Sequence, residues 1–447
     1  MVQPLFKPYR HDKPSRSHRR AVGAFIILSL ITSAFLYYFI QLDADRRTRT
    51  VPAPVSSPIP LKPAPGQLLG VDSKRTFSLA QTQETARENY GAVTLPAKSG
   101  VTKITFRYRS SDPDGTLFTV YGRAYVPTGG GSYPIFAFGP GTTGMGDQCA
   151  PSLENPKVVN WGNYDSHMLM YASQGYAVVT TDYEGMRDAS RIHHYMNGEL
   201  EGRALLDAIR AIKHLPDTKG HLKEGQVVVG GYSQGGHAAF WADTIANVYA
   251  PDVTIKGVVG FGPVISVKES IGDVVFGSTL NWFGPYVLTS YRDYYKADYD
   301  LERILQPRFL QNLSSDVLSH CIDSDIAFWG HNPNLVYTPQ FLASINAATF
   351  DSDYPELARD LDKNSVGNAA TPSAKLINQG KSDNVVLARQ SELAMPGMCR
   401  ASTGPVQMKL YNGNHYNTMI LSLNDTLAWM KQVTGGERTV STCQPAA

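Results

Sequence analysis

Neither sign of charge prevails in this sequence: 41 Lys and Arg stand against 39 Asp and Glu, a net charge of +2. The small excess is local, because residues 1–50 hold nine Lys or Arg and three Asp or Glu, which leaves the remainder at −4. Without a basic surface to track phosphates, nucleic acid is not expected as a partner. Cysteine is scarce, and none of the four residues sits in a Cys-x-x-Cys pair, which argues against a zinc site or a thioredoxin-like redox centre. The glycine-rich stretch Gly139–Asp147 is followed by no lysine at Walker spacing, and no G-x-G-x-x-G opens a helix, so the phosphate-cradling loops of nucleotide-binding proteins are missing.

Long apolar runs are also rare, which makes the run at residues 21–40 conspicuous. AVGAFIILSLITSAFLYYFI is twenty residues without charge, about 30 Å as a helix, the thickness of a bilayer's hydrocarbon core. Lys7, Arg10, Lys13, Arg16, Arg19 and Arg20 precede it, and Tyr37 and Tyr38 lie near its far end. This pattern predicts a cytoplasmic tail over 1–20, a transmembrane signal anchor over 21–40, and everything beyond on the extracytoplasmic side. A cleaved signal peptide, giving a secreted protein, is the alternative, although Gln41-Leu42-Asp43-Ala44-Asp45 offers no good cleavage site. Six prolines between Thr50 and Gly66 predict a semi-rigid stalk within a linker spanning 41–85. A folded domain is then expected over 86–447.

In that domain, apolar β-branched runs alternate with helical patterns, which predicts an α/β fold. Ile135–Phe138, Ala177–Thr180, Val227–Val229 and Val258–Gly260 are short and continuously apolar, as expected of parallel strands buried on both faces. Leu205, Ile209, Ile212 and Leu215 recur at helical spacing between two of them. Ile104, Phe106 and Tyr108 alternate, as do Leu117, Thr119, Tyr121 and Arg123, which predicts an antiparallel pair near one edge. Further strands are expected at 374–379 and 406–411, before a closing helix with Ile420, Leu423, Leu427 and Trp429. The strand rhythm stops over about 264–370, too long a stretch for a loop and rich in aromatics, which predicts an inserted cap.

Gly231-Tyr232-Ser233-Gln234-Gly235 follows the apolar run Val227–Val229 and opens a helix-like stretch, the setting of a nucleophile elbow. A serine hydroxyl is a weak nucleophile unless a base takes its proton, so a base and its orienting acid must come from elsewhere in the chain. His415 lies in the loop between the last strand and the last helix and is the predicted base. His237, four residues past Ser233, is expected to pack on the elbow helix, and His320 and His331 fall in the insertion. Asp383 directly follows the strand ending at Gln379, and neighbouring strand ends are about 4.8 Å apart. It is the predicted acid, with Glu269 as its rival. For a developing oxyanion, the predicted donors are the N–H groups of Gln234 and of Thr142 in the glycine-rich loop. Four cysteines permit three pairings, which these observations leave open.

Several segments together resemble the secretory lipase family of α/β-hydrolases, which includes the lipase-A type enzymes of yeasts. They are Phe138–Gly144 with Gly146–Ser152, Gly175–Val179 with Asp182–Gly185, Tyr195–Gly198, Leu206–Ala211, the elbow, Gly380 with Asp383, and His415. The resemblance covers roughly residues 85–435. It implies an α/β-hydrolase fold, with a mostly parallel sheet, helices on both faces and a largely helical cap. It further implies a Ser233–Asp383–His415 triad and hydrolysis of carboxylic esters with lipid-like acyl chains, needing no metal or organic cofactor. Disulfides Cys149–Cys321 and Cys399–Cys443 are implied as well. A peptidase or an acyltransferase would use the same triad, and a catalytically silent, membrane-tethered binding module would keep the same fold.

Overall fold

The computed structural model describes residues 63–443 apart from 156, 159 and 279. The predicted tail and anchor, and most of the predicted stalk, lie outside the described residues. Among the described residues, no helix is long and apolar enough to cross a membrane.

Among the described residues nine strands form one sheet: β1 (Leu68–Phe77), β2 (Val101–Ser111), β3 (Leu117–Pro127), β4 (Tyr133–Gly139), β5 (Ala177–Thr181), β6 (Leu222–Tyr232), β7 (Ile255–Phe261), β8 (Ala374–Gly380) and β9 (Val406–Tyr411). Their spatial order is β1-β2-β3-β5-β4-β6-β7-β8-β9. The first three are antiparallel and meet β5 antiparallel, and from β5 to β9 every pairing is parallel. The predicted strands are all present. The continuous apolar runs occur where they do because β4, β5 and β7 are covered on both faces, so neither side of the pleat needs polar residues.

Residues 68–85, assigned above to the linker, are folded onto the sheet. β1 pairs along β2, and Ser78 caps the following helix Leu79–Tyr90 through a reciprocal bond with Gln81. Most of β1 is solvent-exposed as the sheet's edge strand, so LLGVDSKRTF needs no alternation of apolar and polar residues and gave no periodic signal.

On one face the helices Gly198–Ile212 and Gln234–Tyr249 bury Leu205, Ile209, Ile212, Ala239 and Phe240 against Val227 and Val229. On the other, Met168 and Tyr171 of helix Tyr164–Ser173 and Trp429 and Met430 of helix Leu423–Gly435 cover Phe136, Val228 and Val259. Each fully buried Leu, Ile, Val, Met or Phe side chain contributes roughly 1.5–3 kcal/mol, so both layers are strongly held. The insertion between β7 and β8 is helical and has its own core around Trp282, Tyr286, Tyr291, Trp329 and Phe341. Cys149 pairs with Cys321 and Cys399 with Cys443.

Candidate active site

Parallel register brings the key segments out at one edge of the sheet. Gly139, the last residue of β4, stands opposite Gly231 of β6, Tyr232 stands opposite Phe261 of β7, and Phe261 stands opposite Asn378 of β8. The loops that follow these strands therefore emerge side by side.

Ser233 occupies the turn between β6 and the helix that starts at Gln234, with φ 56° and ψ −117°. Such a backbone conformation costs a non-glycine residue on the order of 1–3 kcal/mol and persists only where the surroundings hold it. Here Ser233 N–H donates to Phe261 O (3.0 Å), and Ser233 O accepts from the N–H groups of Gly236, His237 and Val264. The flanking glycines are a matter of space. A Cβ at Gly235 would lie 1.7 Å from the carbonyl oxygen of Gly139, and one at Gly231 would lie 2.0 Å from that of Gly235. A side chain at Gly235 would push the end of β4 and the loop that follows it off the elbow, and one at Gly231 would push the first turn of the elbow helix off β6.

Asp383 and His415 are brought together. His415 Nδ1 lies 2.8 Å from Asp383 Oδ2, and both residues are buried. A carboxylate only accepts, so the shared proton sits on Nδ1 and the Nε2 lone pair is free to act as a base. Asp383 is itself fully committed: Oδ1 accepts from the N–H groups of Val385 and Val386, and Oδ2 also accepts from Gln379 Nε2. Asn414, whose side chain accepts from the N–H groups of Tyr416 and Asn417, fixes the turn carrying His415. The pair lies against the elbow, since His415 packs on the ring of Tyr232 and a Cβ at Gly262 would be 3.0 Å from both His415 Nδ1 and Asp383 Oδ2. Glu269, the rival acid, lies in the first turn of the cap helix Val267–Asp273.

Gln234 supplies the first N–H of its helix, which has no acceptor within the helix. Its side chain is turned inward, donating to His193 Nε2 (2.9 Å) and to Glu201 Oε1 (2.7 Å). Thr142 lies in the loop pressed against the elbow, and its hydroxyl bonds to the Tyr195 hydroxyl (2.8 Å). Cys321 pins this loop to the cap: Ile322 N–H donates to Thr143 O, Gly144 bridges Cys321, and the disulfide closes alongside.

His237 packs on the elbow helix as expected, but in a polar setting, with Nδ1 on Glu201 Oε2 and Nε2 on Asn364 O, both at 2.7 Å. The sequence reading missed Glu201 and His193. Glu201 falls on the same stripe as Leu205, Ala208 and Ile212 of its helix, so an acid in an apolar stripe was the available signal. His194 was also missed. Its Nδ1 meets Glu184 and its Nε2 meets Asp293 on the cap helix Phe283–Tyr295. Burial opposes its charge, yet the bonds and charge of Glu184, then those of Asp293, raise its pKa above the ordinary value.

Strand order, the turn at Ser233 and the helical insertion after β7 define an α/β-hydrolase. The chain belongs to the secretory lipase family, whose model matches residues 163–442. It is 28% identical over 181 residues to lipase A of Moesziomyces aphidis, covering 37% of this chain and 36% of that one. To a secreted triacylglycerol lipase of Malassezia globosa it is 32% identical over 158 residues, covering 34% and 32%. The matched part thus spans about a third of the length of these relatives. The rice cell wall degrading esterase LipA of Xanthomonas oryzae shares the fold, with a TM-score of 0.70 at 20% identity, over 84% of this chain and 100% of that one.

Proposed function

We propose that the protein is a carboxylic ester hydrolase of the lipase–esterase type, working through Ser233, His415 and Asp383. The observation that carries this reading is the buried His415–Asp383 hydrogen bond set against the strained turn of Ser233. His415 Nε2 takes the Ser233 proton as Oγ attacks the ester carbonyl, and Asp383 holds the imidazole in the productive tautomer and offsets its charge. The carbonyl oxygen becomes an oxyanion, which accepts hydrogen bonds from the N–H groups of Gln234 and Thr142. His415 then gives its proton to the departing alcohol, leaving an acyl-serine, and water enters by the same route in reverse to release the acid.

Acyl esters are the substrate class. The names of the relatives, one of them a triacylglycerol lipase, support this choice. Two disulfides support an oxidising compartment for the working domain, and the secreted Malassezia relative supports it too. Whether the chain remains tethered depends on residues 21–40, which an alkaline carbonate wash of membranes would decide: a retained protein keeps the anchor reading and a released one ends it.

The test of the activity is Ser233→Ala. Release of p-nitrophenol from acyl esters should disappear while circular dichroism and thermal melting stay those of the parent. Activity surviving in a folded Ser233→Ala enzyme would remove the reading.

A further inference from the structure

Two N–H donors matter to a serine hydrolase only if they are aimed at one point, and Thr142 and Gln234 come from loops nearly a hundred residues apart. A single short segment ties them together. The Thr142 hydroxyl bonds to the Tyr195 hydroxyl, and the Gln234 amide bonds to His193, so both residues are fastened to segment 193–197. That segment is tightly wound, with Met196 at φ 57°. It also seats the cap: Ser290 Oγ donates to Tyr195 O, and Tyr291 OH donates to Met196 O.

The carboxylate of Glu201 stands at the centre of this arrangement and is 1% exposed. Oε1 accepts from Met196 N–H (3.0 Å) and from Gln234 Nε2 (2.7 Å), while Oε2 accepts from His237 Nδ1 (2.7 Å). One side chain therefore grips the segment that holds Thr142, the residue that supplies the second donor, and the helix that carries Ser233. The donors and acceptors around His193 fix its tautomer. His193 Nδ1 faces Glu184 O at 3.0 Å and must donate there, so its Nε2 accepts from the Gln234 amide. Both amide hydrogens of Gln234 are then used, and its side chain cannot turn without stranding a buried donor.

We infer that Glu201 is the positioning residue of the oxyanion-binding pair, holding the N–H groups of Gln234 and Thr142 in mutual register through Gln234 and segment 193–197. This rests on the proposed roles of Ser233, Gln234 and Thr142. Glu201 touches no substrate. Its effect is transmitted by geometry, and displacements near 1 Å are enough to cost a catalytic site about a hundredfold.

The experiment compares the parent enzyme with Glu201→Gln, which keeps the side chain's shape, and Gln234→Met, which keeps the main-chain donor but cuts the tie to Glu201. Each should lower kcat for p-nitrophenyl butyrate by about 10- to 100-fold with KM within about twofold. A trifluoromethyl ketone, bound as a hemiketal whose oxyanion needs both donors, should lose affinity in the same proportion. The two substitutions together should cost little more than one, because they break one chain of contacts. If a folded Glu201→Gln enzyme keeps both kcat and ketone affinity within twofold of the parent, the inference is wrong. It is equally wrong if kcat falls while ketone affinity holds, since the oxyanion donors would then be undisturbed. Should Glu201→Gln fail to fold, Gln234→Met is read by the same criteria. Ser233→Ala runs alongside: if it stays active, the catalytic reading itself has failed, whereas an inactive Ser233→Ala beside an unaffected Glu201→Gln rejects only the role of Glu201.

Discussion

Replacing Asp383 by Asn changes one atom and should nearly silence the enzyme, for a reason visible in the hydrogen bonds. Oδ1 of Asp383 accepts from two main-chain N–H groups, and Oδ2 accepts from Gln379 Nε2 and His415 Nδ1. An asparagine must turn its amide nitrogen toward one of these donor pairs. The main-chain pair cannot adjust, so the nitrogen goes to the Oδ2 side. Gln379 cannot flip to receive it, because its amide also donates to Val386 O and its oxygen accepts from Ser391. His415 yields instead, moving its proton to Nε2 and becoming unable to take the proton of Ser233. Restoring the productive tautomer leaves a buried donor facing a donor, at about 1–3 kcal/mol. The transition state also loses the carboxylate's attraction for the imidazolium, roughly 4 kcal/mol at an effective dielectric constant near 20. Together these come to about 5–7 kcal/mol, or a kcat lower by about ten-thousand- to a hundred-thousand-fold at 1.36 kcal/mol per decade. Steady-state hydrolysis of p-nitrophenyl butyrate measures it, with thermal melting as the check on folding. A folded Asp383→Asn enzyme within tenfold of the parent would refute the tautomer argument.

Other outcomes follow from the same structure. Replacing Cys149 and Cys321 by Ala opens a link across 172 residues, and the chain-entropy relation puts the loss of stability at up to about 5 kcal/mol, read by urea denaturation; a change under 1 kcal/mol would contradict it. Gly235→Ala puts a methyl group 1.7 Å from Gly139 O, so the protein should be insoluble or inactive, and a soluble, fully active product would show that the elbow has more room than described. His194 has a raised folded pKa, so its contribution to stability is fully present below the unfolded value near 6.5 and is lost as pH rises through the folded value. The melting temperature of the parent relative to His194→Gln should therefore fall toward alkaline pH, and a difference constant from pH 6 to 9 would show that the cap contact does not titrate.

The parts of this molecule that could be read from the sequence are those whose chemistry is local. Buried parallel strands such as Ala177–Thr181 announce themselves as unbroken apolar runs, and Ser233 announces itself by the glycines that its close-packed turn requires. Asp383 and His415 were legible because each directly follows a strand, and strand ends in a parallel sheet are neighbours. β1 was not, because an exposed edge strand has no buried face to impose a pattern. Glu201, His193 and His194 were hidden for another reason. Their partners lie in distant segments, and a lone polar residue says nothing about which distant donor it will meet. The disulfide partners rested on resemblance alone, since three pairings fit four cysteines equally well.

In the proposed mechanism the acyl group passes through Ser233. Peptide mass spectrometry of the protein after reaction with a fluorophosphonate ester tests it most directly. One phosphonyl adduct is expected, on the peptide containing Ser233, appearing in step with loss of esterase activity and absent from Ser233→Ala. An adduct on another residue, or inactivation that leaves Ser233 unmodified, would contradict it.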